Sequence, residues 1–297
     1  AILKRANLQR ADLSRANLTT ADLEGANLRA ANMRNSTLNG ARLQNALMQP
    51  QKVQGVSTAV DLRYAKIRNA NLSNAQMQRV QLAEAEFINS VMTGANLMHA
   101  RMSPGTVITG SNLEQAYLIK ADMAQIVMEN SNLTNAILIG ANLRGASLSH
   151  STFQEAQLTK TDMRNAILDH ADLSKAFVIN ADLTGAILEN ATLAGTILLS
   201  TSLNMSNLTS ANLEGAQLSK ATFVDATLLG ANLSSSFLIE ADLSRARLIN
   251  ANLTGANFKN ADLTGTILTD VTGMTCDQLR AARNWRKSIR TGALSKC

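Results

Sequence analysis

The sequence is poor in the residues on which most globular cores and binding sites depend. Its 297 residues include one Trp, two Tyr, six Phe, two Pro, two Cys and three His. No stretch approaches about 18 consecutive apolar residues, which excludes a membrane-spanning helix. The scarcity of aromatic residues excludes the stacking platform of single-strand nucleic-acid binders. The two cysteines do not have the spacing of a zinc site.

Groupings typical of enzymes are missing as well. The glycines occupy regular turn positions and form no phosphate-binding pattern. The carboxylates mostly precede a regularly spaced Leu or Met, as Asp122 and Asp162 do, so neighbouring acids arise by default and form no catalytic pair. The three histidines, His99, His150 and His170, are interpreted as exposed turn residues because no third metal ligand accompanies them. We therefore predict no enzymatic activity, no cofactor and no metal site.

In place of these residues the sequence has a repeat of five. A large apolar residue, usually Leu, recurs every fifth position through residues 3–48, 62–102 and 108–268, which makes 10, 9 and 33 sites, 52 in all. A small residue, usually Ala, stands two positions before each of them. The period fits neither an amphipathic helix nor an uninterrupted half-buried strand. The small-x-large pattern instead indicates two inward residues in each repeat, separated by one outward residue. This is the alternation of a short strand, and a turn interrupts it in every repeat.

A chain that turns so often has to wind into a coil. Each coil must stack on the next, because only stacking hides the apolar residues and pairs the backbone. Columns of Ala and Leu would fill a narrow interior at normal packing density and leave little room for large rings. The aromatic content of 3% agrees with such an interior.

The tandem motif A(D/N)LXX, as in ANLQRADLSRANLTTADLEGANL at residues 6–28, resembles the pentapeptide-repeat family. The resemblance covers about residues 1–270. It implies an all-β fold, a right-handed quadrilateral β-helix with one pentapeptide on each of four faces and about 13 coils. It does not imply one activity. Members include DNA-mimicking protectors of DNA gyrase, developmental factors and many proteins without an assigned role, especially in cyanobacteria and chloroplasts.

The repeat defines one domain, residues 1–274, with two interruptions. Residues 49–59 contain a Pro and a Gly and are predicted to form a surface loop between coils. Residues 103–107 include Ser-Pro-Gly and are predicted to form a one-residue bulge or turn. Both are interpreted as tolerated insertions.

After Leu268 the repeat fails, and residues 275–297 are predicted to form an amphipathic helical cap. Thr275 and Gln278 have the spacing of a capping box. The cap core is the set of apolar residues at helical spacing, namely Leu279, Ala282, Trp285 and Ile289. Such a cap would protect the open end of the β-helix from edge-to-edge association. The resemblance also leaves open a homodimer formed through this element, because gyrase-protecting relatives dimerise through a C-terminal element.

Both cysteines, Cys276 and Cys297, lie in this tail. They either form a disulfide, which would indicate an oxidising compartment such as a periplasm or thylakoid lumen, or stay free thiols, the interpretation that we favour. The chain opens at AILKRANL with no initiator Met and no visible signal peptide. Either a leader has been removed or the chain has been trimmed, and a cytoplasmic location stays open.

The net charge of +6 is uneven. Residues 1–50 carry +4 and residues 275–297 carry +5, so the remaining residues carry −3. The basic ends are interpreted mainly as solvated surface. Contact with nucleic acid or an acidic surface is the alternative.

One predicted face carries large apolar residues where the repeat elsewhere has Asp, Asn, Ser or Thr. Residues 20 apart share a face when a coil holds four repeats, and this face is centred on residues 118, 138, 158, 178, 198, 218 and 238. Five of these seven centres have large apolar neighbours on both sides. The predicted partner-binding residues are Tyr117, Ile119, Ile137, Ile139, Phe177, Ile179, Ile197, Leu199, Phe237 and Ile239. A thinner line on the opposite face consists of Val107, Val127, Ile167, Ile187 and Ile267.

These observations favour a non-enzymatic scaffold or linker that binds proteins along the apolar face. A role in a cyanobacterial or plastid assembly is the setting that we infer from the resemblance. One alternative is a DNA-mimicking modulator of gyrase, although the overall charge has the wrong sign. The other is a binder of nucleic acid or an acidic surface through the basic ends, for which salt-sensitive binding would be required.

Overall fold

The computed structural model describes the backbone of residues 1–297 and every side chain except that of Val53. The chain divides into two compact units, Ala1–Thr152 and Phe153–Cys297. Both units are β-helical solenoids in which a residue pairs in parallel with a residue one coil further along. Asn7 pairs with Asn27 in the first unit and Asp182 with Ser202 in the second, each 20 residues apart. One coil therefore holds four pentapeptides.

Burial within a repeat follows the small-x-large pattern. Around Asp182, the neighbours Ala181 and Leu183 are 3% and 0% exposed, while Asp182 itself is only partly buried. The paired residue thus faces outward, and its two neighbours enter the interior columns. Because the chain turns after each pairing, the solenoid consists of single-residue pairings and not of long strands.

The Asp or Asn of the motif forms the beginning of each turn. Asp182 Oδ1 accepts a hydrogen bond of 2.9 Å from the backbone N–H of Thr184, and Asp242 Oδ1 accepts one of 2.9 Å from that of Ser244. The fifth residue then adopts a left-handed backbone, as Asn180 does with φ of 54°. Asn, Asp and Gly enter this region more readily than other residues. The local turn explains why the repeat calls for Asp or Asn before Leu.

The insertion at residues 49–59 is a β-hairpin. Strand β1 (Gln51–Val53) pairs antiparallel with strand β2 (Val56–Thr58). The ladder passes the hairpin without a break, since Leu47 pairs with Gln76. The sequence predicted a loop here but not its regular pairing. The extra residue within 103–107 lengthens the pairing distance to 21 residues, as between Arg101 and Asp122.

The end of the second unit has a short helix and a short parallel sheet. Strand β3 (Ile267–Leu268) pairs in parallel with strand β4 (Ile289–Arg290). Helix α1 (Cys276–Arg280) begins with the predicted capping box, in which Thr275 Oγ1 accepts from the Gln278 N–H at 3.2 Å and Gln278 Oε1 accepts from the Thr275 N–H at 2.7 Å. Two 3-10 helices, Trp285–Lys287 and Gly292–Lys296, complete the tail.

The prediction of one amphipathic helix through Ile289 is wrong. Leu279 and Ala282 are buried, at 0% and 5% exposure, but Trp285 is half-buried and Ile289 is 57% exposed. The reason lies in the backbone. The Ile289 N–H donates to the Thr266 carbonyl at 2.8 Å, so Ile289 takes the outward position that paired residues take throughout the solenoid. Backbone pairing of Ile289 with the last coil therefore replaces a continuation of the helix.

The tail is also held covalently. Cys276 and Cys297 form a disulfide, with their Cα atoms 5.5 Å apart. The interpretation that we favoured from the sequence, two free thiols, is therefore wrong, and the alternative of a disulfide is confirmed. No helix in the described part of the chain has the length and apolar character needed to cross a lipid bilayer.

Candidate interaction face

The second unit carries an exposed row of the predicted apolar residues. Phe177 and Phe237 are 41% and 46% exposed, although the residues that follow them, Val178 and Leu238, are fully buried. Phe177 pairs with Ile197, so their side chains stand on neighbouring coils roughly 4.8 Å apart. The half-buried members of the row are Ile179, Ile197, Leu199 and Ile239. These four residues and the two phenylalanines, Phe177 and Phe237, form the six-residue apolar face of the second unit.

The apolar face is interrupted once. Gln217 pairs with Ile197 on one side and with Phe237 on the other. The face therefore consists of two adjacent apolar coils, a polar coil, and a further apolar coil. The turn residues beside it include Lys220 and Glu240, whose charged groups lie 3.9 Å apart. An apolar strip with a polar rim is the usual composition of a protein interface.

Apolar residues at these positions remove the side-chain hydrogen bond that begins the turn elsewhere. Phe177, Ile197 and Phe237 stand where Asp182 and Asp242 accept from the amide two residues on. Two residues further along the chain stand Ile179, Leu199 and Ile239. Among the described residues, no protein atom accepts a hydrogen bond from their backbone N–H groups. A hydrogen bond of this kind contributes about 0.5–1.5 kcal/mol. The apolar face therefore lacks three turn hydrogen bonds of the kind that Asp182 and Asp242 form.

Neighbouring faces show the opposite chemistry. In the second unit Asn232 Nδ2 donates to Asn212 Oδ1 at 3.1 Å, and Asn252 Nδ2 donates to Asn232 Oδ1 at 3.0 Å. These amides bridge successive coils while also accepting from turn amides, as Asn232 does from Ser234 at 3.1 Å. These asparagine side chains therefore find hydrogen-bond partners within the chain.

The first unit has a shorter row of the same type. Tyr117 is 43% exposed and pairs with Ile137 on the next coil. Ile119 and Ile139 lie two residues further along each coil and are half-buried. Asn96 pairs with Tyr117 on the other side and ends the row.

The thinner apolar line is as exposed, residue for residue, as the face predicted to bind partners. Ile167 and Ile187 are 38% and 39% exposed and pair with each other in the second unit. Asn207 follows on the next coil, so the row is only two coils long there. Sequence reasoning missed Met205, which is 63% exposed at a left-handed turn with φ of 55°. The available signal was a large apolar residue at the fifth position of its repeat.

The part of the chain that the structure describes contains no group of three or more His, Cys, Asp or Glu residues placed to hold a metal ion. His99, His150 and His170 all occupy exposed left-handed turn positions, with φ of 56°, 58° and 56°.

Comparison with known proteins gives one family match. A family model of pentapeptide repeats matches residues 1–49, 65–103 and 111–270. A comparison with curated proteins finds no match.

Several solved structures are similar to this chain. HetL, a pentapeptide repeat protein involved in heterocyst differentiation regulation from the cyanobacterium Nostoc sp. strain PCC 7120, is 28% identical, with 91% of this chain and 93% of that chain covered and a TM-score of 0.29. A pentapeptide repeat protein of the Arabidopsis thaliana thylakoid lumen is 28% identical, with 46% and 74% covered and a TM-score of 0.19. QnrB1, a plasmid-mediated fluoroquinolone resistance protein, is 17% identical in a trypsin-treated form, with 64% and 91% covered and a TM-score of 0.47.

Proposed function

Because the chain belongs to the pentapeptide-repeat family, which matches most of its length, we propose that it is a non-enzymatic scaffold or linker that binds proteins through the apolar face. The observation that carries this proposal is the replacement of turn-forming Asp or Asn by Phe and Ile at exposed positions. A cyanobacterial or plastid assembly is the setting that we propose for it.

The interior columns are already complete, since Val178, Leu198 and Leu238 are fully buried beneath the face. The exposed rings of Phe177 and Phe237 therefore add little to the core, and each gives up a local hydrogen bond. Exposed apolar strips rimmed by polar residues mark interaction sites. We therefore expect these apolar side chains to stabilise a complex with a partner protein more than they stabilise the free chain.

We expect a triple variant, Phe177→Asn, Ile197→Asn and Phe237→Asn, to lose its partner while keeping its fold. Asn restores the turn hydrogen bond at each site, so the free energy of unfolding should change by less than about 1 kcal/mol or rise slightly. Binding should weaken by about a hundredfold or more, because buried aromatic anchors dominate interface energies. Affinity capture from the native organism, followed by titration of the captured protein, measures the binding. Urea denaturation measures the stability.

The matched control is Ile167→Asn with Ile187→Asn, which removes two exposed apolar side chains outside the face. This double variant should bind the partner as the unchanged protein does. If every captured protein binds the triple variant as tightly as it binds the control variant, the proposed interface is wrong. A triple variant that unfolds at much lower urea concentration would show that these side chains belong to the core.

The DNA-mimic alternative is weakened by the pairing of the acidic side chains. Arg164 Nη2 lies 2.5 Å from Asp162 Oδ2, and Arg245 Nη2 lies 2.6 Å from Asp225 Oδ2. Hydrogen bonds from the Arg245 guanidinium hold the pKa of Asp225 below its usual value, so the carboxylate stays ionised but paired. A mimic of the DNA backbone would need rows of negative charge without such partners.

For the scaffold itself we propose a right-handed quadrilateral solenoid of about 13 coils, closed at its C-terminal end by residues 275–297. Contacts of the tail support the closing role. The Arg283 N–H donates to the Ala261 carbonyl at 2.8 Å, and the Arg283 carbonyl accepts from the Leu263 N–H at 3.1 Å. The tail thus takes up backbone groups that the last coil would otherwise expose.

Deletion of residues 275–297 should leave the coils folded and promote association of the open ends, because the last coil would present unpaired backbone. Circular dichroism should keep its β character, while light scattering coupled to gel filtration should show oligomers that grow with concentration. The control Cys276→Ser with Cys297→Ser retains the tail and should associate less. A deletion variant that stays monomeric would contradict the closing role, and a dimer that becomes monomeric on deletion would favour dimerisation through the tail.

A further inference from the structure

The first unit contains a basic cleft that the proposed scaffold function does not use. The cleft has a volume of about 700 Å³ and lies between the hairpin β1–β2 and the adjoining corner of the solenoid. Its lining includes Ser57, Thr58, Arg79, His99, Arg101 and Lys120. The volume falls within the range of small-molecule sites, about 300–1,000 Å³.

Three of these residues form a column along one corner. Arg79, His99 and Lys120 occupy equivalent left-handed turns, with φ of 58°, 56° and 53°. Arg79 N–H donates to the Met98 carbonyl at 2.9 Å and His99 N–H to the Ile119 carbonyl at 3.0 Å, so their coils are neighbours in the ladder. The basic side chains therefore start roughly 4.8 Å apart along the stack. The 21-residue pairing after the bulge keeps the third member in the column.

Arg101 adds a fourth basic group from the adjoining face. It takes an outward paired position between Gln81 and Asp122. Gln81 and Asp122 also line the cleft, so Arg101 lines it from the coil between theirs. A planar guanidinium can bind two oxygens of a phosphate at once.

The cleft has an excess of unpaired positive charge. Arg63 Nε and Nη2 donate to the two Asp61 carboxylate oxygens at 2.9 and 2.6 Å. Burial raises the pKa of Asp61, but the hydrogen bonds and charge of Arg63 outweigh burial and leave it below its usual value. That pair is neutral. Among the described residues, Arg79, Arg101 and Lys120 have no ion-pair partner, and Asp122 is the one further carboxylate in the lining.

We propose that this cleft binds a compact polyanion, a chain of two or three phosphate groups. Neighbouring like charges repel each other, and one multivalent anion relieves that repulsion. The hydroxyls of Ser57 and Thr58 supply further donors to phosphate oxygens. No Phe, Tyr or Trp is among the described lining residues, so no ring of these types can stack on a nucleobase. The phosphate chain is the recognised group, whether free or part of a nucleotide.

Titration calorimetry of the full chain with inorganic triphosphate at low salt tests the proposal. We expect saturable binding at one site that weakens as salt is raised. Arg79→Gln and Arg101→Gln should each weaken it by about tenfold, since each removes charge-assisted hydrogen bonds. Arg144→Gln, which removes an exposed arginine of the same unit outside the cleft, should leave the affinity unchanged. A nucleoside triphosphate should bind as inorganic triphosphate does.

Several results would overturn the proposal. One is the absence of saturable triphosphate binding, and another is an equal loss of triphosphate affinity in Arg144→Gln and Arg79→Gln. A clear preference for the nucleotide over inorganic triphosphate, or binding of an oligoglutamate peptide in place of triphosphate, would also contradict it. Circular dichroism of each variant should match the unchanged protein, because the substituted side chains are exposed.

Removal of the hairpin gives a second test. Deleting residues 51–59 restores a five-residue step from Met48 to Leu62. Pro50 would then occupy a corner where Ala30 and Arg79 have φ of 56° and 58°, which proline cannot adopt, so Pro50→Asn is included. The variant should fold, and its triphosphate affinity should fall by about tenfold because Ser57 and Thr58 are gone. Full affinity without the hairpin would show that the cleft is not the site.

Discussion

Leu198→Asp should lower the free energy of unfolding by about 5 kcal/mol or more. Leu198 is fully buried, and the residues one coil away on either side, Val178 and Leu218, are fully buried as well. The substitution removes the apolar side chain and places a carboxylate in a column without a cation. Urea denaturation followed by circular dichroism measures the loss.

The neighbouring residue supplies the control. Ile197→Asp makes a similar chemical change one position earlier, but Ile197 faces outward and is only half-buried. An Asp there can accept from the Leu199 amide, as Asp182 accepts from Thr184 at 2.9 Å. The free energy of unfolding should therefore change by less than about 1 kcal/mol. Similar losses in the two variants would mean that the inward and outward assignments are wrong.

Gly273→Ala should destabilise the junction between the last coil and the tail by about 3 kcal/mol. Gly273 has φ of 72°, and a Cβ atom built on it would overlap Thr254 Oγ1 and lie 2.7 Å from Thr254 Cα. The second contact involves backbone, so a rotation of the threonine side chain cannot relieve it. Because Thr254 Oγ1 donates to Asn252 Oδ1 at 2.7 Å, the clash also disturbs that turn.

Gly215→Ala isolates the cost of the backbone conformation. Gly215 has φ of 64°, and no atom lies within 4 Å of a Cβ built there. Its substitution should cost only about 1 kcal/mol, the penalty of a left-handed residue with a side chain. Hydrogen exchange should show faster opening of the tail in Gly273→Ala only. Equal effects at the two glycines would show that Thr254 adapts to the added methyl group.

The sequence predicted the repeat architecture because its determinants are local. Each pentapeptide carries its own outward and inward positions and its own turn, so Asp182 and Leu183 take their places from residues within their own repeat. The apolar positions of Phe177 and Phe237 were predictable for the same reason, since a period of 20 residues places them on one face. Their role in binding stays a prediction.

The tertiary structure decided the features that depend on contacts between distant residues. Ile289 follows a helical pattern in sequence, but its backbone pairs with the last coil, and that pairing directs its side chain outward. The disulfide between Cys276 and Cys297 forms because the folded tail brings them together, which no spacing could show. The basic cleft arises only when an inserted hairpin stands beside Arg79, Arg101 and Lys120. A local repeat determines which way a residue faces, whereas the stacking of coils and the placement of insertions determine what it meets there.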